Sequence, residues 1–291
     1  MLVVIVALGS AVAYAVAMVL QQRSARSVAA SESLRPGLVV QLLQRRVWLL
    51  GMACNAVAFG LRGAALAEGS MAIVQPVVLT GLFFALLLET QLDRRPFTTR
   101  ETLGSVALIG GLAMFVLSAD PQGGIDRPPT MDWLVLASVV GGAALLTVAW
   151  ASRLSGDLRA AWLAGGGALL LALTAALTKL VASELADDGL ALFRSYSVYA
   201  LALVGGLAVL VTQSAFQAGP LRASLPVLSV VEPLASIAIG AWVFDEQVAT
   251  SVLARAGELS GFALLATGIL MLTPDPRAQT PVPLPTPRSV A

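Results

Sequence analysis

Apolar residues run through this chain in blocks of about twenty, parted by short polar stretches. A helix of about 20 residues crosses the hydrocarbon core of a bilayer, whereas barrel strands are about ten residues of alternating polarity. The pattern predicts nine helices, at 2–20, 47–67, 70–89, 102–118, 132–151, 159–182, 196–218, 221–246 and 256–273. The expected fold class is an all-α polytopic membrane protein. Block one has a rival reading as a secretory signal, because Ala15-Val16-Ala17 resembles a cleavage site. No positive residue precedes it, so a retained helix is favoured. The segment after it holds Arg23, Arg26, Arg35, Arg45 and Arg46 and is too polar to span. Residues 274–291 carry six prolines and are expected to be disordered or polyproline-like.

The eighth block breaks its own pattern. Glu232 lies near its middle, and Pro226 and Pro233 stand seven residues apart on roughly one helical face. Each proline removes a backbone donor and loosens the helix beside it. A carboxylate at membrane depth costs about 2.5–3.5 kcal/mol on insertion scales. Either a polar cavity on a transport or ligand pathway offsets that cost, or the carboxyl is structural, protonated or bonded to a neighbouring helix.

Composition narrows the classes. The chain is 57% hydrophobic and 12% charged, with mean hydropathy +0.85, against about 25% charged residues in soluble domains. Net charge is +1 and suggests no partner. Histidine is absent, which excludes His-ligated metals and His-based triads. Cys54 is the single cysteine, so no internal disulfide forms. No glycine-rich loop ends in Lys-Ser/Thr, and no nucleophile–base pair or metal cluster is visible. An enzyme is not expected, nor a cofactor or a bound metal.

Trp48, Trp133, Trp150, Trp162 and Trp242 all fall near block ends, as in the aromatic belts at membrane interfaces. With nine crossings, thirteen arginines fall on the side of the C-terminus and five basic residues on the other. The excess of positive charge predicts a cytoplasmic C-terminus and an external N-terminus, in the cytoplasmic (inner) membrane.

The chain also repeats itself. Val74-Gln75-Pro76 leads thirteen residues on from the proline to Glu89, and Val231-Glu232-Pro233 leads the same thirteen to Glu246. Val19-Leu20-Gln21 loosely parallels Leu177-Thr178-Lys179. Residues 1–120 then form a first repeat of four helices, 121–153 a central fifth helix, and 154–273 a second repeat. One crossing between two four-helix units turns the second upside down. Inverted repeats are the architecture of many secondary transporters, with the site at the midplane.

These residues carry a family likeness. Gly219-Pro220-Leu221, Ser224-Leu225-Pro226, Val231-Glu232-Pro233-Leu234, Gly240 and Phe244-Asp245-Glu246 resemble the penultimate helix of the drug/metabolite transporter superfamily, the EamA-like proteins. Val74-Gln75-Pro76 with Glu89 resembles its partner in the first half. The likeness reaches to about residue 273. That superfamily typically has ten helices, and here the first helix of the first repeat is missing. Nine helices with the N-terminus outside, and the Leu20-Gln21 ending of the first, are similar to its NIPA-type magnesium-transporter branch. The resemblance implies transport without naming a substrate.

Glu232 is the first candidate to bind a proton or a cation. Lys179 is the second; it either enters the site, where it and Glu232 tune one another, or snorkels to the interface. Gln21 and Gln75 are their neutral counterparts in the first repeat. Asn55 and Gln213 either line a cavity or bond neighbouring helices, and Pro76, Pro226 and Pro233 are candidate helix breaks. Arg62 is a candidate gate, with outward snorkelling favoured. Glu89 and Glu246 are expected to be solvated at helix ends. The glycine pairs 110–111, 141–142 and 205–206 and the run 165–167 are expected to be close-packing surfaces.

The function expected is movement of a small metabolite or other small organic solute by alternating access, proton-coupled in one version. The alternatives are a divalent-cation (magnesium) transporter, for which one central carboxylate is thin, and a non-transporting scaffold or lipid-binding protein. Membrane lipids, the unidentified solute and, as one option, a second copy are the expected partners; nucleic acid is not.

Overall fold

The computed structural model describes residues 2–68, 74, 77–119, 128–188, 193, 195–246 and 251–272. Among them there is no strand. Helix α1 is Leu2–Arg26, and a 3-10 turn at Ala30–Glu32 leads to the short α2, Pro36–Leu43. The long helices follow: α3 Arg46–Glu68, α4 Gly81–Leu92, α5 Thr99–Ala119, α6 Thr130–Ala151, α7 Gly156–Asp188, α8 Tyr196–Ala218, α9 Leu221–Val243 and α10 Val252–Leu272. Among the described residues, eight helices are long and apolar enough to cross a membrane, and Val77–Leu92 is a shorter apolar one. The chain is a polytopic helical membrane protein. The first residues of the third block, the loop at 120–127 and the tail lie outside the described residues.

Local chemistry sets several helix starts. Thr98 and Glu101 form a capping box at α5: Glu101 N–H donates to Thr98 Oγ1 at 3.2 Å, and Thr98 N–H to Glu101 Oε2 at 2.9 Å. Ser195 accepts from Ser197 N–H at the head of α8, and Ser251 from Ala254 N–H at the head of α10. Pro36 opens α2, where its missing donor costs nothing. That helix does not span. It buries Leu38 and Leu42 beside Trp48 and leaves Val40 and Leu43 exposed.

Packing follows a simple scheme. Helix α1 lies against α3 and α4, α7 lies against α8 and α9, and α5 lies along α10. The α5–α10 crossing depends on glycine. A Cβ on Gly111 would stand 2.7 Å from the Gly261 carbonyl oxygen, and one on Gly268 would stand 2.8 Å from that of Gly104. Backbones meet there as in close helix pairs built on small residues. Of the glycines expected to pack closely, Gly111, Gly166 and Gly167 do so. Gly110, Gly141, Gly142 and Gly206 face open space, and Gly165 and Gly205 make only ordinary contacts.

The tryptophans divide as well. Trp150, Trp162 and Trp242 are exposed as a belt requires. Trp48 and Trp133 are buried instead: Trp48 donates its indole N–H to Gln213, and Trp133 packs edge-on against Phe244.

Candidate functional site

Helix α9 runs through both its prolines without interruption, so Pro226 and Pro233 do not break it. Pro233 still leaves the carbonyl of Ser229, four residues back, without its helical donor. Ser229, Glu232, Pro233 and Ser236 recur at helical spacing on one face of α9, and that face lines a cavity of about 400 Å³. Glu232 is the midpoint of the 23-residue α9, roughly 16 Å from either end at 1.5 Å per residue.

The opposite polar groups come from two other helices. Ser10 and Tyr14 enter from α1, and Asn55 and Arg62 from α3. Tyr14 sits beside Ser229 and within the fields of both Glu232 and Arg62. Arg62 and Glu232 put charges of opposite sign on the wall of one cavity. Among the described residues the remaining wall is apolar: Leu79 and Leu82 before and on α4, and Leu108, Ile109, Leu112 and Val116 on α5.

The cavity lies around the helix middles. Its lining is centred on the midpoint of α9, from Ser229 to Ser236, and is displaced towards the Leu2 end of α1, at Ser10 and Tyr14, and towards the Glu68 end of α3, at Asn55 to Arg62. Towards the other ends of these helices, polar contacts fasten the chain. Glu89, 2% exposed, accepts Leu221 N–H at 2.6 Å at the head of α9. Gln22 donates to the Gly219 carbonyl at 3.2 Å, and Arg23 pairs with Asp93 at 3.0 Å.

Several sequence expectations are corrected here. Gln21 does not line the cavity, and of the two readings open for Gln213 the structure shows the bond to neighbouring helices. They form a buried chain in which Trp48 donates to Gln213 and Gln213 to Gln21, at 3.2 and 2.9 Å. A residue bonded to neighbours in this way ties helices together. Lys179 does not pair with Glu232. Its Nζ bonds Glu246 Oε1 at 2.7 Å and lies 4.4 Å from the centre of the Phe244 ring. Glu89 and Glu246 are therefore partnered side chains, one buried and one half-buried, and not solvated ends. Arg62 does not simply snorkel outward; it lines the cavity. Gln75 and Pro76 lie outside the described residues.

Lys179, Glu246, Phe244 and Gly240 line a smaller cavity of about 160 Å³, and Ser236 borders both cavities. Sequence reasoning passed over Ser10, Tyr14, Ser229 and Ser236. The signal was present in part, since Ser229 and Ser236 stand three before and four after Glu232, on its helical face. Serine is too common in membrane helices for that spacing to single them out.

No family model matches the chain. An uncharacterized protein of Corynebacterium glutamicum is 28% identical over 252 residues, which cover 85% of this chain and 86% of its relative. The likeness therefore runs through nearly all of both chains, and the relative's name carries no function. No solved structure matches significantly.

Proposed function

We propose that this chain is a secondary transporter of the drug/metabolite type, which moves a small organic solute across the cytoplasmic membrane by alternating access. One observation carries the reading: a cavity at the midpoint of α9, with a carboxylate, a guanidinium and a phenol on its wall. Ionisable groups at membrane depth mark solute or ion pathways. The fastened ends beyond Glu89 and Gln22 are the side that a carrier must open in its other state.

The repeat reading is supported by the packing. The pairs α1–α3 and α1–α4 in the first half are matched by α7–α8 and α7–α9 in the second, and α5 and α10, the last helix of each half, pair with one another. This is the pattern of two four-helix repeats about a pseudo-two-fold axis, with α6 between them. With the arginine excess inside, the Leu2 end of α1, towards which the α1 lining is displaced, lies on the outer side. A divalent cation fits less well, because Arg62 puts a positive charge on the wall that holds Glu232.

The test is flux in proteoliposomes for a panel of small solutes and magnesium, with and without a proton gradient, for wild type and Glu232→Gln. Flux of an organic solute that falls at least tenfold in the variant is expected. Absence of all flux, or a variant that matches wild type, would overturn the reading.

A further inference from the structure

The cavity wall is divided by chemistry. The side formed by α1, α3 and α9 carries hydroxyls, an amide and charges of both signs; the described residues on the side formed by α4 and α5 are aliphatic. Uniformly polar walls suit sugars and hydrated ions, and uniformly apolar walls suit hydrocarbons. A divided wall suits a solute that is itself divided.

Glu232 and Arg62 both lie on the polar side, with charges of opposite sign. Each repels what the other attracts. A plain ammonium meets Glu232 but is opposed by Arg62; a plain carboxylate meets Arg62 but is opposed by Glu232. A solute with both groups satisfies both, and it enters with no net charge to desolvate. Tyr14, beside Ser229, adds a hydroxyl to the same side. Leu82, Leu108 and Leu112 face this polar side and leave space for a short hydrocarbon body. A volume of about 400 Å³ is small for a binding site, near the lower end of the roughly 300–1,000 Å³ found for ligand pockets. It accommodates a single small solute with a branched aliphatic chain.

We infer that the cavity selects a small zwitterion with an apolar body: an ammonium at Glu232, a carboxylate at Arg62, and an aliphatic chain against α4 and α5. This rests on the transport reading and narrows it to one substrate class.

Four probes separate the parts of the claim. Leucine has both charges and the body, 3-methylbutylamine lacks the carboxylate, 4-methylpentanoate lacks the ammonium, and glycine lacks the body. Binding is measured by calorimetry on the purified full chain in nanodiscs. Leucine is expected to bind about 30-fold or more tighter than each of the others, the loss that follows removal of one partner of a buried charge pair. Arg62→Gln should erase the advantage over the amine, and Glu232→Gln the advantage over the carboxylate. The wild-type series alone decides if either variant fails to fold. Equal binding of amine, carboxylate or glycine, or no leucine binding, would overturn the inference. The two readings fail separately. Glu232-dependent flux of a different solute class leaves transport standing and removes the zwitterion. Selective leucine binding with no flux of any solute leaves the zwitterion standing and removes transport.

Discussion

Glu89 offers the sharpest test of how α9, and with it Glu232, is held in place. The residue before α9 is Pro220, which supplies no side-chain acceptor for the first turn. Glu89 fills that role from another helix, with Oε1 2.6 Å from Leu221 N and 2% exposure. It is an N-cap in trans. Replacement with alanine removes a buried acceptor, the contact with the positive end of the helix dipole, and the α4–α9 link together. Loss of an N-cap costs about 0.5–2 kcal/mol and a hydrogen bond to a charged group about 1.5–3 kcal/mol. The two overlap, so the expected loss for Glu89→Ala is about 2 kcal/mol. Glu89→Gln keeps an acceptor oxygen and should lose about 1 kcal/mol or less, because the amide still caps but no longer opposes the dipole with a full charge. Reversible unfolding in mixed micelles, followed by tryptophan fluorescence, measures both. If alanine matches wild type, or if glutamine is the worse of the two, the capping account is wrong.

Gln213→Leu should cost about 1–3 kcal/mol in the same assay, because it orphans the Trp48 indole and the Gln21 carbonyl oxygen together, while solute binding stays unchanged. Gly261→Leu should disrupt the α5–α10 crossing, where a Cβ would already stand 2.8 Å from the Gly111 carbonyl oxygen; the cost is about 1–3 kcal/mol or more, whereas Gly141→Leu, in open space, should be neutral. Lys179→Met should cost about 1 kcal/mol or less, since the Lys179 side chain is 36% exposed, and the Lys179→Glu/Glu246→Lys double variant should recover part of what either single change loses. A reporter fused at the C-terminus should report a cytoplasmic location, and an external one would reverse the assigned orientation.

Elements were legible in the sequence where burial is a block property. Runs of twenty apolar residues mark α1, α3 and α5 to α10, because a helix in lipid must be apolar along its whole length. Glu232 was legible for the converse reason: a charge in such a run is costly enough that it needs a structural answer. What failed was partnership. Glu89 and Glu246 occupy matching positions after matching prolines, so sequence treats them alike. The fold gives one the head of α9 and the other a lysine on α7. Gln21 and Gln213 read as candidate cavity polar groups, yet they are 192 positions apart and bond each other. No local pattern encodes a bond of that kind. Tyr14 was missed because an aromatic in an apolar helix reads as packing, and only the approach of Ser229 and Glu232 gives its hydroxyl a role.

The fastening at one end of the bundle bears on how a carrier of this shape can switch. A carrier needs two states separated by a few kcal/mol, so that solute binding can shift their balance. The Arg23–Asp93 pair has side chains 42% and 40% exposed and contributes at most about 1 kcal/mol. The Gln22–Gly219 bond adds a similar amount, and the Glu89–Leu221 bond somewhat more. Together they hold that end by several kcal/mol. The α5–α10 crossing is different in kind. Its glycines bring the two backbones into direct contact, so any larger side chain there would force the helices apart. Besides α5, the cavity is lined by α1, α3, α4 and α9. Of these, α9 carries the two prolines, each of which deletes a helical hydrogen bond. The helix that carries the central acid is thus also the one whose backbone bends most easily, and its bending would carry Glu232 towards the fastened side while Glu89 holds or releases its first turn.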